Sequence, residues 1–122
     1  MEDIWCIFYV RDCRHTHPVK NKFVIIVCRD AYCMGFLFNT GIGEFVKKRP
    51  ELLKSQLSVK SSDYHFLHHD SYIDCGRIYP FDFDDLNDGR GRLLNSTKSA
   101  IKKLVTDSTT IEQQYIQMIL TN

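Results

Sequence analysis

Short apolar runs occupy the first 80 residues of the chain, and their length and composition predict β-strands. The clearest is Lys22–Cys28 (KFVIIVC), which is rich in β-branched residues. Ile4–Val10 has the same character, and Tyr32–Phe38 follows the clearest run after a short polar turn, which indicates a hairpin. Ser55–Lys60 alternates polar and apolar residues, and Ser71–Tyr79 brings the set to about five strands.

The pattern changes to helical spacing near the C-terminus. A helix from Asn95 or Ser96 to about Val105 is predicted, because a capping residue precedes an amphipathic segment. A last helix is predicted from four apolar residues at helical spacing: Ile111, Tyr115, Met118 and Ile119. These two segments predict helices that pack against the sheet.

The middle of the chain predicts how the sheet curls. Gly35 interrupts the third strand and indicates a bulge or a sharp bend. Gly41–Leu53 predicts a short helix that Pro50 either breaks or restarts. The order of elements therefore predicts a mainly β fold with helices (α+β), in which a small curled antiparallel sheet is covered by two C-terminal helices. We expect residues 1–122 to form a single domain.

Composition and charge narrow the class of protein. The formal net charge of +1 excludes a strong overall field for nucleic acid, although a local basic patch is compatible with it. No apolar run approaches the length of a membrane span, and the N-terminus MEDIWCIFYV has acidic residues where a signal peptide has basic ones. We therefore expect a cytoplasmic protein without a membrane partner.

The cysteines support the same expectation. Their number is odd, no C-x-x-C pair occurs, and four of the five lie in apolar runs: Cys6, Cys28, Cys33 and Cys75, with Cys13 as the fifth. A thiol in an apolar run packs as a small hydrophobic group. The pattern favours a reducing compartment over a disulfide framework.

A basic loop follows the first strand and carries the first candidate site. Arg14, Lys20 and Lys22 can donate hydrogen bonds to phosphate oxygens, and His15 or His17 can act as a general acid or base near neutral pH. A solvated hairpin loop is the structural alternative, since loops are polar in any case.

A histidine-rich segment is the second candidate. His65, His68, His69 and Asp70 offer ligands that suit zinc or another transition metal. Their spacing matches no established metal signature, and surface-loop histidines are the simpler interpretation. No metal or other cofactor is therefore expected, and these four residues are kept only as weak metal candidates.

The fifth predicted strand holds the third candidate, Asp74 with Arg77. Residues three apart in a strand face opposite sides, so the two share a surface only if a bulge at Gly76 intervenes. The apolar face should be the core, which leaves Asp74 on the open face. Thr40, at the end of the third strand, offers a hydroxyl to a phosphate or substrate, with a plain turn as the alternative.

The order of these segments resembles the PemK/MazF-like family, the barrel toxins of bacterial type II toxin–antitoxin modules. The resemblance covers about residues 4–105 and is carried, in order, by HTHPVKNKFVIIVC, GFLFNTG, SYIDCGRI and GRLLNSTKSAIKKLV. It implies an SH3-like barrel with helices. The implied activity is endoribonuclease cleavage of single-stranded RNA by 2′-OH attack without a metal.

The resemblance also implies roles and partners. The loop residues Arg14, His15, His17 and Lys20 would hold phosphate and include the acid or base, and Thr40 would contact the scissile phosphate. Asp74 and Arg77 would complete the site. An antitoxin-like or other protein partner and a homodimer would be expected.

A second hypothesis remains open alongside the enzyme. A barrel of this fold can lose catalysis and remain a binding module for a protein or a nucleotide. A phage or mobile-element factor that interferes with host defence is one example of such a module. Whether the chain is an enzyme is therefore undecided from the sequence.

Overall fold

The computed structural model describes residues 3–122, in which one antiparallel sheet is the main element. Its seven strands are β1 (Cys6–Cys13), β2 (Lys20–Arg29), β3 (Cys33–Asn39), β4 (Gln56–Val59), β5 (Ser71–Asp74), β6 (Tyr79–Phe81) and β7 (Gly89–Arg92). They lie in the order β4-β5-β3-β2-β1-β7, and β6 also pairs with β3. The curled antiparallel sheet is confirmed, with two strands more than the five expected.

Four α-helices accompany the sheet in residues 3–122. They are α1 (Glu44–Lys47), α2 (Pro50–Leu53), α3 (Asn95–Thr106) and α4 (Gln113–Thr121). Pro50 is the first residue of α2, a position where a backbone N–H has no partner within the helix and is not needed. Of the two predicted alternatives, Pro50 therefore starts a new helix. Among the described residues, no helix has the length and apolar character that crossing a bilayer requires.

Two layers of apolar side chains hold the fold together, one on each face of the sheet. The alternation along β2 shows this division, since Ile25 packs in the layer under α3 and α4 while Val24 and Ile26 pack in the opposite layer. Ile101 of α3 and Ile119 of α4 are fully buried against the first layer. The predicted two C-terminal helices therefore cover one face of the sheet.

Strand β3 bends and changes partners, which curls the sheet. Its first half pairs with β6 through Gly35 and Tyr79, and its last residues pair with β5 through Phe38 and Ile73. A Cβ atom at Gly35 would lie 2.8 Å from the carbonyl oxygen of Ile25, so only glycine permits this close approach of β2 and β3. The predicted irregularity at Gly35 is confirmed by a shift in the β2–β3 register beside it.

The prediction of one continuous strand over Ser71–Tyr79 was wrong. Strand β5 ends at Asp74, and the chain turns through Cys75 and Gly76 before β6 begins at Tyr79. The turn is tightly packed, because a Cβ at Gly76 would lie 3.0 Å from a methyl group of Leu52. This turn places the residues of the candidate site.

Candidate functional site

A groove lined by cationic and polar side chains lies where β2, the end of β3 and the turn after β5 meet. Its volume is about 300 Å³, and its polar walls include Lys20, Lys22, Asn39, Thr40 and Arg77. None of its described lining residues carries a carboxylate. Such a groove suits an anion, because its walls present hydrogen-bond donors and positive charges. We call it the cationic groove.

Lys22 is half-buried in the groove, whereas Lys20 is exposed. Its Nζ donates a hydrogen bond of 2.6 Å to Oδ1 of Asn39, which holds the ammonium at the end of β3. Burial lowers the pKa of Lys22 below its usual range, and the neighbouring charge of Lys20 lowers it further. Lys22 is therefore a better proton donor than an ordinary lysine.

Asp74 lies beneath the groove and fixes the position of Arg77. Oδ2 of Asp74 accepts from both Nε and Nη2 of Arg77, each at 2.7 Å. Oδ1 accepts from the side chain of Gln56 at 3.0 Å and from the backbone N–H of Gly76 at 3.1 Å. The expectation that Asp74 occupies the open face was wrong, because the strand ends there and the carboxylate turns inward to four donors.

Asp74 and Arg77 are nevertheless in contact on the same side of the sheet. This is possible because strand β5 ends at Asp74 and does not continue to Arg77. Asp74 is buried, while the Arg77 side chain is 35% exposed and lines the groove. Because Asp74 engages Nε and Nη2, the Nη1 group is left to bind a ligand. Asp74 thus holds the Arg77 guanidinium in place, and of the two residues only Arg77 lines the groove.

A second cavity adjoins the cationic groove and shares three of its lining residues. Lys22, Asn39 and Thr40 line both, and the second cavity has a volume of about 240 Å³. Its remaining walls are more apolar and aromatic, and they come from Tyr9, Asn21, Phe23, Phe38, Leu67, His68, His69 and Ser71. We call it the aromatic cavity.

Comparison with known proteins gives a match in structure and none in sequence. No protein-family model and no curated protein sequence matches the chain. Among solved structures, a toxin of Mycobacterium tuberculosis, MazF-mt6, superposes with a TM-score of 0.62 over 88% of this chain and 98% of its own, at 16% sequence identity. The chain has the MazF toxin fold. The resemblance predicted from the sequence is confirmed at the level of the fold.

The MazF-like barrel brings together part of the predicted site. The same groove is lined by residues from three separate parts of the sequence: Lys20 with Lys22, Thr40, and Arg77. Thr40 is exposed and stands where the groove and the aromatic cavity meet, so its hydroxyl is accessible to a ligand in either.

The histidines of the basic loop are not among the groove residues. The His15 ring stacks on Tyr79 with centroids 4.8 Å apart, and its Nε2 lies 2.7 Å from the carbonyl oxygen of Pro80. Since a carbonyl only accepts, Nε2 carries the proton and Nδ1 is the acceptor in the neutral ring. His17 is exposed, and Arg14 forms an exposed ion pair of 3.4 Å with Asp82.

The four weak metal candidates are distributed among different contacts. Asp70 accepts from the backbone N–H and hydroxyl of Ser61, which lowers the pKa of Asp70, and His65 packs edge-on against Phe66. His68 and His69 line the aromatic cavity. In residues 3–122, no three histidine, cysteine, aspartate or glutamate side chains are grouped as a metal site would need.

Several residues of the site were missed or undervalued from the sequence. Asn39 ends β3 beside Thr40, and its side-chain oxygen accepts from Lys22, while the Gln56 amide of β4 donates to Asp74. Tyr9 lies in the first predicted strand, Ile4–Val10, and lines the aromatic cavity. Their roles depend on how neighbouring strands pair, which the pattern along any single strand does not show.

Proposed function

We propose that this MazF-like chain cleaves single-stranded RNA in the cationic groove. The observation that carries the proposal is the meeting of Lys20, Lys22, Thr40 and Arg77 in one groove whose described walls hold no carboxylate. Three cations and a hydroxyl can bind a phosphodiester through hydrogen bonds and can stabilise the negative charge that develops on it in the transition state. The MazF toxin fold supports the same conclusion.

The proposed reaction needs no water and no cofactor. The ribose 2′-oxygen attacks phosphorus and loses its proton to a base, while the bond from phosphorus to the 5′-oxygen breaks and that oxygen takes up a proton. The products are a 2′,3′-cyclic phosphate and a 5′-hydroxyl. Negative charge accumulates on the non-bridging oxygens between these steps, so fixed cations lower the barrier.

The geometry suggests how the groove residues divide this work. Arg77, held by Asp74, would donate from Nη1 to a non-bridging oxygen, and the Thr40 hydroxyl would bind the same phosphate. Lys22, whose pKa is lowered by burial, would protonate the leaving 5′-oxygen. The base is kept as a proposal from the sequence prediction: it is His15 through Nδ1 or the exposed His17, neither of which lines the groove.

Replacing Thr40 tests the proposal. Thr40→Val removes the hydroxyl from an exposed position, so the fold should be unaffected while cleavage falls by about 100-fold or more, as for the loss of one transition-state donor. Thr109→Val is the matched control, because Thr109 is also exposed and lies outside the groove. The assay uses purified protein, single-stranded RNA and a chelator, and expression in bacteria gives a second readout in growth.

Two results would contradict the proposal that the chain cleaves RNA in the cationic groove. One is an absence of RNA cleavage by the parent protein with or without a chelator. The other is equal activity of the Thr40→Val and Thr109→Val variants. Cleavage that requires added metal would contradict the metal-independent mechanism and leave the ribonuclease assignment in place.

A binding module is the second candidate, and one observation favours it. Both oxygens of Asp74 are occupied by donors, so the most buried acid of the site does not serve as a base. A nucleotide or RNA ligand could then bind in the groove without being cut. Binding of single-stranded RNA that is lost in Lys22→Ala, together with intact RNA after long incubation, would establish this alternative.

The proposal also includes the location and the protein partners of the chain. A toxin-like ribonuclease would act in the cytoplasm, where its RNA is, and an antitoxin-like protein would restrain it. A homodimer is proposed from the family resemblance. Mass measurement of the native protein, alone and after co-expression with its neighbouring gene product, tests both the dimer and the partner.

A further inference from the structure

The aromatic cavity differs in chemistry from the cationic groove that it joins. Its exposed walls are mainly apolar, with Tyr9 and Phe23 on adjacent strands and Phe38 on β3. We propose that this cavity binds one unpaired nucleobase of the RNA, and that Tyr9, His68 and His69 determine which base is accepted. The inference rests on the proposed function, because the base belongs to the RNA held in the groove.

The size of the cavity fits one ring system. Its volume of about 240 Å³ lies just under the roughly 300 Å³ at which pockets for drug-sized ligands begin. A nucleobase is flat and aromatic, and unpaired bases bind by stacking on aromatic side chains. Tyr64 and Phe66 are buried in the core and present no exposed ring to a base.

The aromatic wall is held in place before any ligand binds. The Tyr9 and Phe23 ring centroids are 5.0 Å apart, and the Arg90 guanidinium lies 4.9 Å from the Tyr9 centroid. Two hydrogen bonds of 2.9 and 3.0 Å to Asp88 fix Arg90, and Arg11 contacts both Asp88 and the Tyr9 ring. A wall fixed in this way loses little entropy on binding a base.

The polar side chains of the cavity can distinguish one base edge from another. His68 and His69 are exposed at its rim, and each neutral imidazole offers one donor and one acceptor. Ser71 donates to the carbonyl oxygen of His69 at 2.9 Å, which positions that residue. Oδ1 of Asn21 accepts from the backbone of Asp12, so the Asn21 amide N–H groups are available to a base.

The shared residues place the base beside the reacting phosphate. Lys22, Asn39 and Thr40 separate the two spaces, so a phosphate in the groove and a base in the cavity are neighbours along one strand. Selectivity should therefore appear at one nucleotide position that flanks the cut. Positions farther along the RNA should be unaffected by the cavity.

Mapping cut sites on a mixed pool of single-stranded RNA tests the inference. The wild-type protein should show a base preference at one flanking position, and His68→Ala/His69→Ala should flatten it. His65→Ala is the matched control, because His65 is an exposed histidine of the same loop that does not line the cavity. Tyr9→Leu should weaken RNA binding by roughly 5- to 150-fold, the range for one base–aromatic stack, and Tyr9→Phe should retain it.

The outcomes test base binding in the aromatic cavity independently of RNA cleavage in the groove. A flattened preference in the double variant with an unchanged preference in His65→Ala supports the cavity. An unchanged preference in the double variant, or an equal change in His65→Ala, overturns it while cleavage still stands. If the wild type cuts no RNA, the proposed function fails, and fluorescence anisotropy with oligo(A), oligo(U) and oligo(C) replaces the map. A base preference that the double variant loses then supports the cavity, and equal binding of all three overturns it.

Discussion

Asp74 holds Arg77 through two hydrogen bonds to a single carboxylate oxygen, at the point where strand β5 ends. The acid is buried and the guanidinium is about one third exposed, at 35% of its side-chain surface. The pair therefore links a buried carboxylate in the interior of the barrel to a guanidinium that lines the cationic groove. The same carboxylate stabilises the turn that ends the strand, because it accepts from the backbone N–H of Gly76 and from the side chain of Arg77.

We expect the two members of this pair to have unequal effects on stability. Arg77→Ala leaves a buried carboxylate with only Gln56 and Gly76 as donors, so the free energy of unfolding should fall by about 3–5 kcal/mol. Asp74→Asn leaves a guanidinium that can recover water, so the fall should be smaller, about 1.5–3 kcal/mol. Urea denaturation of both variants measures the difference. Equal losses, or a larger loss in Asp74→Asn, would contradict the assignment of Asp74 as the buried partner.

Substitutions of Arg77 and Asp74 should also differ in their effects on the cleavage rate and on RNA affinity. If Arg77 meets the phosphate, Arg77→Lys should keep part of the RNA affinity and lose most of the rate, because lysine cannot reproduce the fixed guanidinium donors. Asp74→Asn should also reduce the rate, since Arg77 would lose its orientation. Single-turnover and binding measurements on the two variants distinguish the loss of rate from the loss of affinity.

Lys22 should give the reaction a basic limit at unusually low pH. Its pKa is lowered, chiefly by burial, below the ordinary value of about 10.4 for lysine. A proton donor works only below its pKa, so activity should decline as pH rises through that lowered value. Lys22→Arg remains charged throughout, so its slower reaction should lack this decline. A decline that is unchanged in Lys22→Arg would exclude Lys22 as the acid, and Lys20→Arg serves as the control in the same groove.

The groove cations should also set the salt dependence of RNA binding. Three phosphate contacts from Lys20, Lys22 and Arg77 predict a slope of about −2 for the logarithm of affinity against the logarithm of salt concentration, at about −0.7 per contact on single strands. Lys20→Ala should reduce the slope by about 0.7. Lys103→Ala is the control, because Lys103 is exposed on α3 and does not line the groove. An equal change in both variants would show that the binding is not localised to the groove.

Much of the fold was predictable because local patterns agree with the tertiary structure. The apolar runs became β1 to β3, the alternating run became β4, and the amphipathic segments became α3 and α4. The break after β5 was not predictable, because it depends on an ion pair and on packing against Leu52 that alternation along the strand does not show. Periodicity assumes that a strand continues, and here it placed Asp74 on the wrong face.

The candidate site was predictable in its charges and not in its arrangement. Lys20, Lys22, Thr40 and Arg77 were identified as residue types that suit a phosphate, and the fold brings them into one groove. The histidines were harder to place, since a loop position does not reveal which way a ring turns. His68 and His69 drew attention as metal ligands, and the structure places them at the aromatic cavity.

A substitution at Gly35 tests the close approach of β2 and β3, which curls the sheet. Gly35→Ala places a Cβ 2.8 Å from the Ile25 carbonyl oxygen and 2.9 Å from a Val24 methyl group, so β3 must move away from β2. Overpacking of this kind should lower the free energy of unfolding by about 1–3 kcal/mol. Gly41→Ala is the matched control, because no atom lies within 4 Å of its Cβ position, and its effect should stay within about 0.5 kcal/mol. Urea midpoints measured at unchanged m-value compare the two variants, and equal midpoints would show that the β2–β3 approach at Gly35 is not as close as described.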